Sequence, residues 1–171
     1  MPKGLKSSSS QVVISTEITT SAPDIFTQLQ VPLILNVLDR EVFVVTAIDL
    51  DVFPPDADLV ANTQVNSSVS RTSRTSVGSI ANSNVMAVKN LYIRTAAGAT
   101  AAGSVFESAS LETPATNQEF LDIVATNDFF VQISGGGNTL NKTVAVKVYG
   151  YRAIASADIF AALTQSELLS A

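Results

Sequence analysis

Four carboxylates, Asp49, Asp51, Asp56 and Asp58, fall close together along the chain, and hard cations such as calcium take clustered oxygen ligands of this kind. Their spacing is not that of an EF-hand, and Pro54-Pro55 interrupts it, so they read as a solvated acidic loop at a strand end, where charges are usually exposed. Gly135-Gly136-Gly137 invites comparison with phosphate-binding loops, but those loops open a helix whose first amides face the anion. A strand follows here, so the glycines read as a hairpin turn that needs positive φ. Asn66-Ser67-Ser68 and Asn141-Lys142-Thr143 match the glycosylation acceptor pattern, as chance produces in a chain so rich in Ser, Thr and Asn. Arg71, Arg74, Lys89 and Arg94 are the candidates for a basic patch. Strand alternation puts Lys89 and Arg94 on opposite faces, so they read as scattered charges.

The chain contains no histidine and no cysteine. That removes the usual acid/base at physiological pH, the commonest metal ligand and the best thiolate nucleophile together. No Gly-x-Ser-x-Gly elbow or Ser-x-x-Lys pair is present, and any acid/base work would fall on carboxylates alone. A two-carboxylate glycosidase would want aromatic platforms for sugar, whereas the sequence has no Trp, three Tyr and eight Phe that mostly fit core positions. The expectation is a non-enzyme, with no catalytic, cofactor-binding or metal-binding residue.

Such a chain is specified by its shape. At 171 residues it fits one domain able to bury a core without staples. Charged residues are only 15% against 46% hydrophobic, so much of the polar surface must be Ser, Thr, Asn and Gln, which desolvate cheaply in protein–protein contacts. A net charge of −5 argues against a general nucleic-acid binder, whose affinity comes from clustered Lys and Arg. The N-terminus has no apolar stretch of the secretory kind and no run approaches ~18 apolar residues. Synthesis in the cytoplasm is the simplest expectation.

Residues 1–10, with Lys3, Lys6 and four consecutive serines, read as a flexible arm that gains order from a neighbouring subunit. From Gln11 the period becomes two, with Val12, Ile14, Thr16 and Ile18 on one face. Leu29 to Val37 alternates again, and Pro32 demotes that strand to an edge or a bulge. Asp39-Arg40 makes a tight connection to a long strand over 41–52. Its predicted inner face is Val42, Val44, Thr46, Ile48, Leu50 and Val52, with one end covered on both faces and the other emerging into water at Asp49 and Asp51. Residues 53–58 form a loop, since consecutive prolines cannot feed a ladder. Further strands are predicted at 62–70, 74–80, 85–95 and 104–112, with a loop of small residues at 96–103 and a short element at 118–124. A hairpin is predicted from 128–134 through the glycine turn to 143–153. Ser156 then caps a C-terminal helix with Asp158 in its first turn and an apolar stripe of Ile159, Phe160, Leu163, Leu168 and Leu169.

Eight or nine strands with interleaved short and long connections predict an all-β antiparallel sandwich over 11–155, an eight-stranded jelly roll, followed by a helix over 156–171. The run Asp128-Phe129-Phe130-Val131-Gln132-Ile133, the glycine turn, Thr143 to Arg152 and the short helix from Ser156 resemble the closing strands of single-jelly-roll capsid proteins of tailless icosahedral viruses. The resemblance covers about a third of the chain as pattern and the rest as strand count. It implies a structural coat subunit of the virion that assembles with copies of itself, as pentamers, hexamers or a shell, and with other virion proteins. The contacts it implies run through the arm, the loops and the terminal helix. The arm is shorter and less basic than in RNA-packaging coats, which restricts nucleic-acid contact to the arm at most. A receptor- or glycan-binding β-sandwich, such as a fibre head or lectin-like module, is the alternative.

Overall fold

The computed structural model describes residues 3–58, 61–95, 104–109 (backbone) and 118–169. Period-two runs become strands β1 (Leu5–Ser7), β2 (Val12–Thr19), β3 (Thr27–Pro32), β4 (Glu41–Val52), β5 (Thr63–Ser70), β6 (Val85–Arg94), β7 (Ser104–Ala109), β8 (Asp122–Val124), β9 (Asp128–Gly136) and β10 (Thr143–Ala155), and helix α1 spans Ala157–Leu169. In the first sheet β10 lies between β4 and the successive edge strands β1 and β2, with β8 beyond β4; the second sheet runs β3-β9-β5-β6-β7. Every pairing is antiparallel. With β1 and β7 set aside, the remaining strands pair first to last: β2 with β10, β3 with β9, β4 with β8, β5 with β6. That nesting is a long hairpin rolled into two sheets, the jelly-roll connectivity.

The predicted hairpin of 128–134 with 143–153 does not form. Strand β9 is flanked by β3 and β5 and has no free edge for β10. The glycine segment instead carries the chain across to the opposite sheet, and of its three glycines only Gly137 has positive φ, 74°. Both strands thereby aim their apolar rows at one core, Phe129, Val131 and Ile133 from one side and Val144, Val146 and Val148 from the other. Each such side chain contributes about 1.5–3 kcal/mol when fully buried. The chain also changes sheet after β3, through a 3-10 turn at Val37–Asp39 that ends in Arg40 at φ 57°.

The predicted inner face of the long strand is right for Ile48, Leu50 and Val52 and wrong before them. Ala47 pairs with Tyr149 and Val45 with Gly150, so Thr46 is an extra residue, a β-bulge that reverses which side chains face inward. The Thr46 hydroxyl donates to the Tyr149 carbonyl at 3.1 Å. Gly150 permits the close approach, because a Cβ there would collide with the Val44 carbonyl and the Phe43 ring. Phe43 and Val45 enter the sandwich, while Val42 and Val44 form a second cluster on the outer face with Leu5, Ile123, Ala153 and Ala155 under α1. The expectation that one end of this strand is covered on both faces holds, with Val42 to Val45 all buried.

Residues 5–7 are no free arm. Strand β2 stops pairing at Gly150, leaving the last turns of β10 an open edge, and β1 fills it against Ala153 to Ala155. Leu5 is buried in the outer cluster, and the Ser156 amide donates to the Gly4 carbonyl at 3.0 Å. The order of this segment comes from its own chain. Strand β3 lies at an edge and ends at Pro32, as the proline requires. The strand predicted at 74–80 is absent; residues 71–84 are a loop laid on the outer face of the second sheet. The loop predicted at 96–103 lies outside the described residues.

Candidate functional site

The acidic residues singled out by spacing do not meet. Asp49 and Asp51 sit on the outer face of the first sheet, where Asp49 accepts a hydrogen bond from Tyr149 that raises the phenol pKa. Asp58 accepts the Ala61 amide at 3.3 Å. Asp56 turns the other way. Its carboxylate pairs with the Lys142 ammonium, itself buried, and accepts the Thr139 amide at 2.8 Å, the Leu140 amide at 3.0 Å and the Thr139 hydroxyl at 3.1 Å. The Lys142 hydrogen bond first, and these donors after it, hold the Asp56 carboxyl far below the ordinary range. Asp56 is therefore a structural clasp rather than a solvated loop residue. Among the described residues no group of three potential metal ligands converges.

Asn138 completes this end of the sandwich. Its amide NH2 donates to Asp24 at 2.9 Å and to the Gln64 carbonyl at 2.9 Å, and its side-chain oxygen accepts the Asp56 amide at 3.0 Å. Three crossing loops are thus lashed together, with Ile25, Phe53 and Leu140 exposed at their tips. The glycines beside Asn138 serve this crossing, and a strand follows them, so no helix terminus faces an anion there.

At the opposite end, Arg71 is buried; its Nε lies 3.3 Å from Asp122 and its Nη2 donates to the Ser83 carbonyl at 2.7 Å. Glu167 of α1 is 1% exposed and accepts the Ala125 amide at 2.9 Å. Burial pushes both acids up, with Arg71 opposing the shift in each. The other cations are dispersed as alternation predicts. Arg74 donates to Asn84 at 2.8 Å and to Asn82 at 3.2 Å, Lys89 reaches the Leu50 carbonyl at 3.1 Å, and Arg94 lies 5.0 Å from the centre of the Tyr92 ring.

The outer face of the second sheet is sealed by hydrogen bonds. Gln132, fully buried, accepts from Ser68 at 2.8 Å and donates to Ser70 at 2.7 Å and Gln28 at 3.1 Å. The overlying loop joins in through the Gly78 amide, which donates to Ser68 at 2.8 Å, and the Arg74 amide, which donates to Gln28 at 2.8 Å. Gly78 is needed for that approach, since a Cβ would strike Val85. Asn66 lies inside β5, paired on both sides, with Ser67 and Ser68 buried, so the first acceptor pattern is part of the sheet interior.

One surface loop displays apolar side chains. Ile34 is 77% and Leu38 94% exposed, with Val37 beside them. Ile34 holds φ 53°, a strained conformation for a β-branched residue. The loop is pinned: Arg152 donates to the Leu33 carbonyl at 2.8 Å and the Ile34 carbonyl at 3.0 Å, and pairs with Glu41 at 3.1 Å, whose carboxylate also accepts the Asn36 amide at 3.0 Å. Sequence reasoning assigned this stretch to a strand; Leu33 and Leu35 are buried as alternation predicts, but the strand ends at Pro32 and the chain turns at Val37–Asp39. Among the described residues edge strand β2 pairs with β10 alone, with Val12 and Val13 exposed and no proline or lysine within it to blunt the edge. No family model matches the chain, and no curated protein aligns with it.

Proposed function

We propose that the protein is a structural subunit that self-assembles, as the coat of an icosahedral virion built from its copies does, after synthesis in the host cytoplasm. The observation that carries this reading is the pinned, strained loop presenting Ile34, Val37 and Leu38 to solvent. Isolated exposed leucines are ordinary, but three large apolar side chains held together on a rigid loop cost solubility unless something covers them. The open β2 edge and the apolar tips Ile25, Phe53 and Leu140 at the other end provide further contact surfaces, so one copy offers apolar ground at both ends. The jelly-roll connectivity and low charge fit such a subunit. The arm and α1 are engaged within their own chain, which transfers the assembly contacts to the loops and the β2 edge.

Sedimentation and electron microscopy of the recombinant protein test the reading. Pentamers, hexamers or shells that weaken only slightly with salt are expected, because so few charges take part. The double variant Ile34→Asp, Leu38→Asp should lower particle yield without shifting the melting temperature of the dissociated subunit. A monomer that persists at high concentration and in the presence of other virion proteins overturns the proposal; a discrete monomer or trimer that binds sugar replaces it with a glycan-binding sandwich.

A further inference from the structure

The edges of the two sheets are guarded unequally. Strands β1 and β8 are only three residues long, and β3 ends in a proline. Strand β2 runs for eight residues in unbroken register with β10, with no proline, lysine or bulge.

The hydrogen bonds identify its spare main-chain groups. The Thr20 amide donates to the Lys142 carbonyl at 2.8 Å, whereas the carbonyl of Thr143, opposite Thr19, turns the other way to accept the Phe53 amide at 3.0 Å. Main-chain groups alternate from side to side along a strand. Val12, Ile14, Thr16 and Ile18 therefore point theirs at β10, and Val13, Ser15, Glu17 and Thr19 present theirs to the open side. The side chains of the first set face the core, where Ile14 and Ile18 pack, and those of the second set lie on the exposed outer face.

An added strand must match both faces, which an antiparallel copy of β2 does when a two-fold axis passes through Ser15. Val13 then exchanges hydrogen bonds with Glu17 of the partner subunit, Glu17 with Val13 of the partner subunit, and Ser15 with Ser15 of the partner subunit. Val12, 36% exposed, meets Ile18 of the partner subunit, so the apolar row runs on across the seam. Glu17, the only charge on the strand, sets the register. At ~3.4 Å per residue and ~4.8 Å between strands, the two copies of Glu17 stand about 14 Å apart; an axis at Thr16 brings them to about 8 Å. An axis at Ile14 leaves Ile18 opposite no strand residue.

We propose that β2 is a seam between two copies of the protein, the first sheet continuing across a two-fold axis at Ser15. The inference rests on the assembly reading above for the presence of a like partner, and it assigns one contact of that assembly to a defined pairing.

Residue-by-residue amide hydrogen exchange at rising protein concentration tests it. Val13, Ser15 and Glu17 should gain protection of about tenfold or more as copies associate, while Ile14, Thr16 and Ile18, bonded to β10, are protected throughout. Ser15→Glu and Ser15→Lys should each weaken association, because like charges then meet across the axis, and an equimolar mixture of the two should restore it. Ser15→Pro removes an outward donor without touching the β10 ladder; it should weaken association by about tenfold or more at an unchanged melting temperature of the dissociated subunit. Association that leaves Val13, Ser15 and Glu17 unprotected, a mixture no tighter than either charged variant alone, or protection gained only when another virion protein is added overturns the seam. Particles that form with these amides unprotected remove the seam and leave the coat reading standing. Discrete dimers with them protected uphold the seam and remove the coat reading.

Discussion

Asp56 and Glu167 stand at opposite ends of the sandwich, each a carboxylate near a buried cation, and their pKa values are shifted in opposite directions. Asp56 has Lys142 to itself and accepts two amides and a hydroxyl besides, so its charged form is favoured. Glu167 is 1% exposed and accepts the Ala125 amide, and burial, opposed only in part by that amide and by Arg71, raises its pKa. Burial raises both carboxyls; at Asp56 the Lys142 hydrogen bond overcomes it, and at Glu167 it prevails over the Ala125 amide and Arg71. The two ends should therefore fail under opposite conditions.

The largest effect should come from the strand that joins them. Val146→Asp places a charge in the apolar core of β10 between the two clusters and should cost about 4 kcal/mol, abolishing cooperative unfolding in mild urea. Asp56→Ala should cost about 3 kcal/mol by stranding the buried Lys142 and freeing the three loops, read as a lower urea midpoint at neutral pH. Arg71→Met removes the guanidinium that pairs with Asp122 and opposes the upward shift of Glu167; its penalty should reach about 2 kcal/mol in mild alkali and diminish in acid as the two acids take up protons, the reverse of what Asp56→Ala should show. For the parent protein, Asp56 contributes stability that is full above its ordinary carboxyl value of 3.8 and lost as pH falls below it. Asp122 and Glu167 contribute stability that is full below their ordinary values and lost as pH rises through the raised ones. Melting temperature against pH should fall on both sides, and Asp56→Asn should flatten only the acid side. Smallest of all, Lys147→Thr, one residue from Val146 but exposed on the outer face, should change stability by less than about 0.5 kcal/mol.

Much of the fold was legible because strand alternation records burial directly. Val144, Val146 and Val148 could be assigned inward, and Pro32 to an edge, from local chemistry alone. The reversal at Thr46 was not legible, since a bulge leaves the local pattern plausible in either register and is fixed only by the partner strand and Gly150. Nor was the fate of β9 and β10. A glycine turn between two alternating runs carries the same sequence signal whether the strands pair or cross to face each other, and the choice depends on β3 and β5 occupying both edges of β9. The candidate site was less legible still. Asp56 was visible as an acid, but its partners Lys142 and Thr139 lie more than eighty residues away in sequence, and Glu167 lies outside the apolar stripe from which the helix was read.

The sequence by itself determined the period-two strands, the terminal helix and the absence of histidine and thiol chemistry, because these follow from residue types and their immediate spacing. Only the tertiary structure decided which acids are clasps and which titrate, that the arm belongs to its own sheet, and that Ile34 and Leu38 face water, because each depends on groups brought together across the roll rather than along the chain.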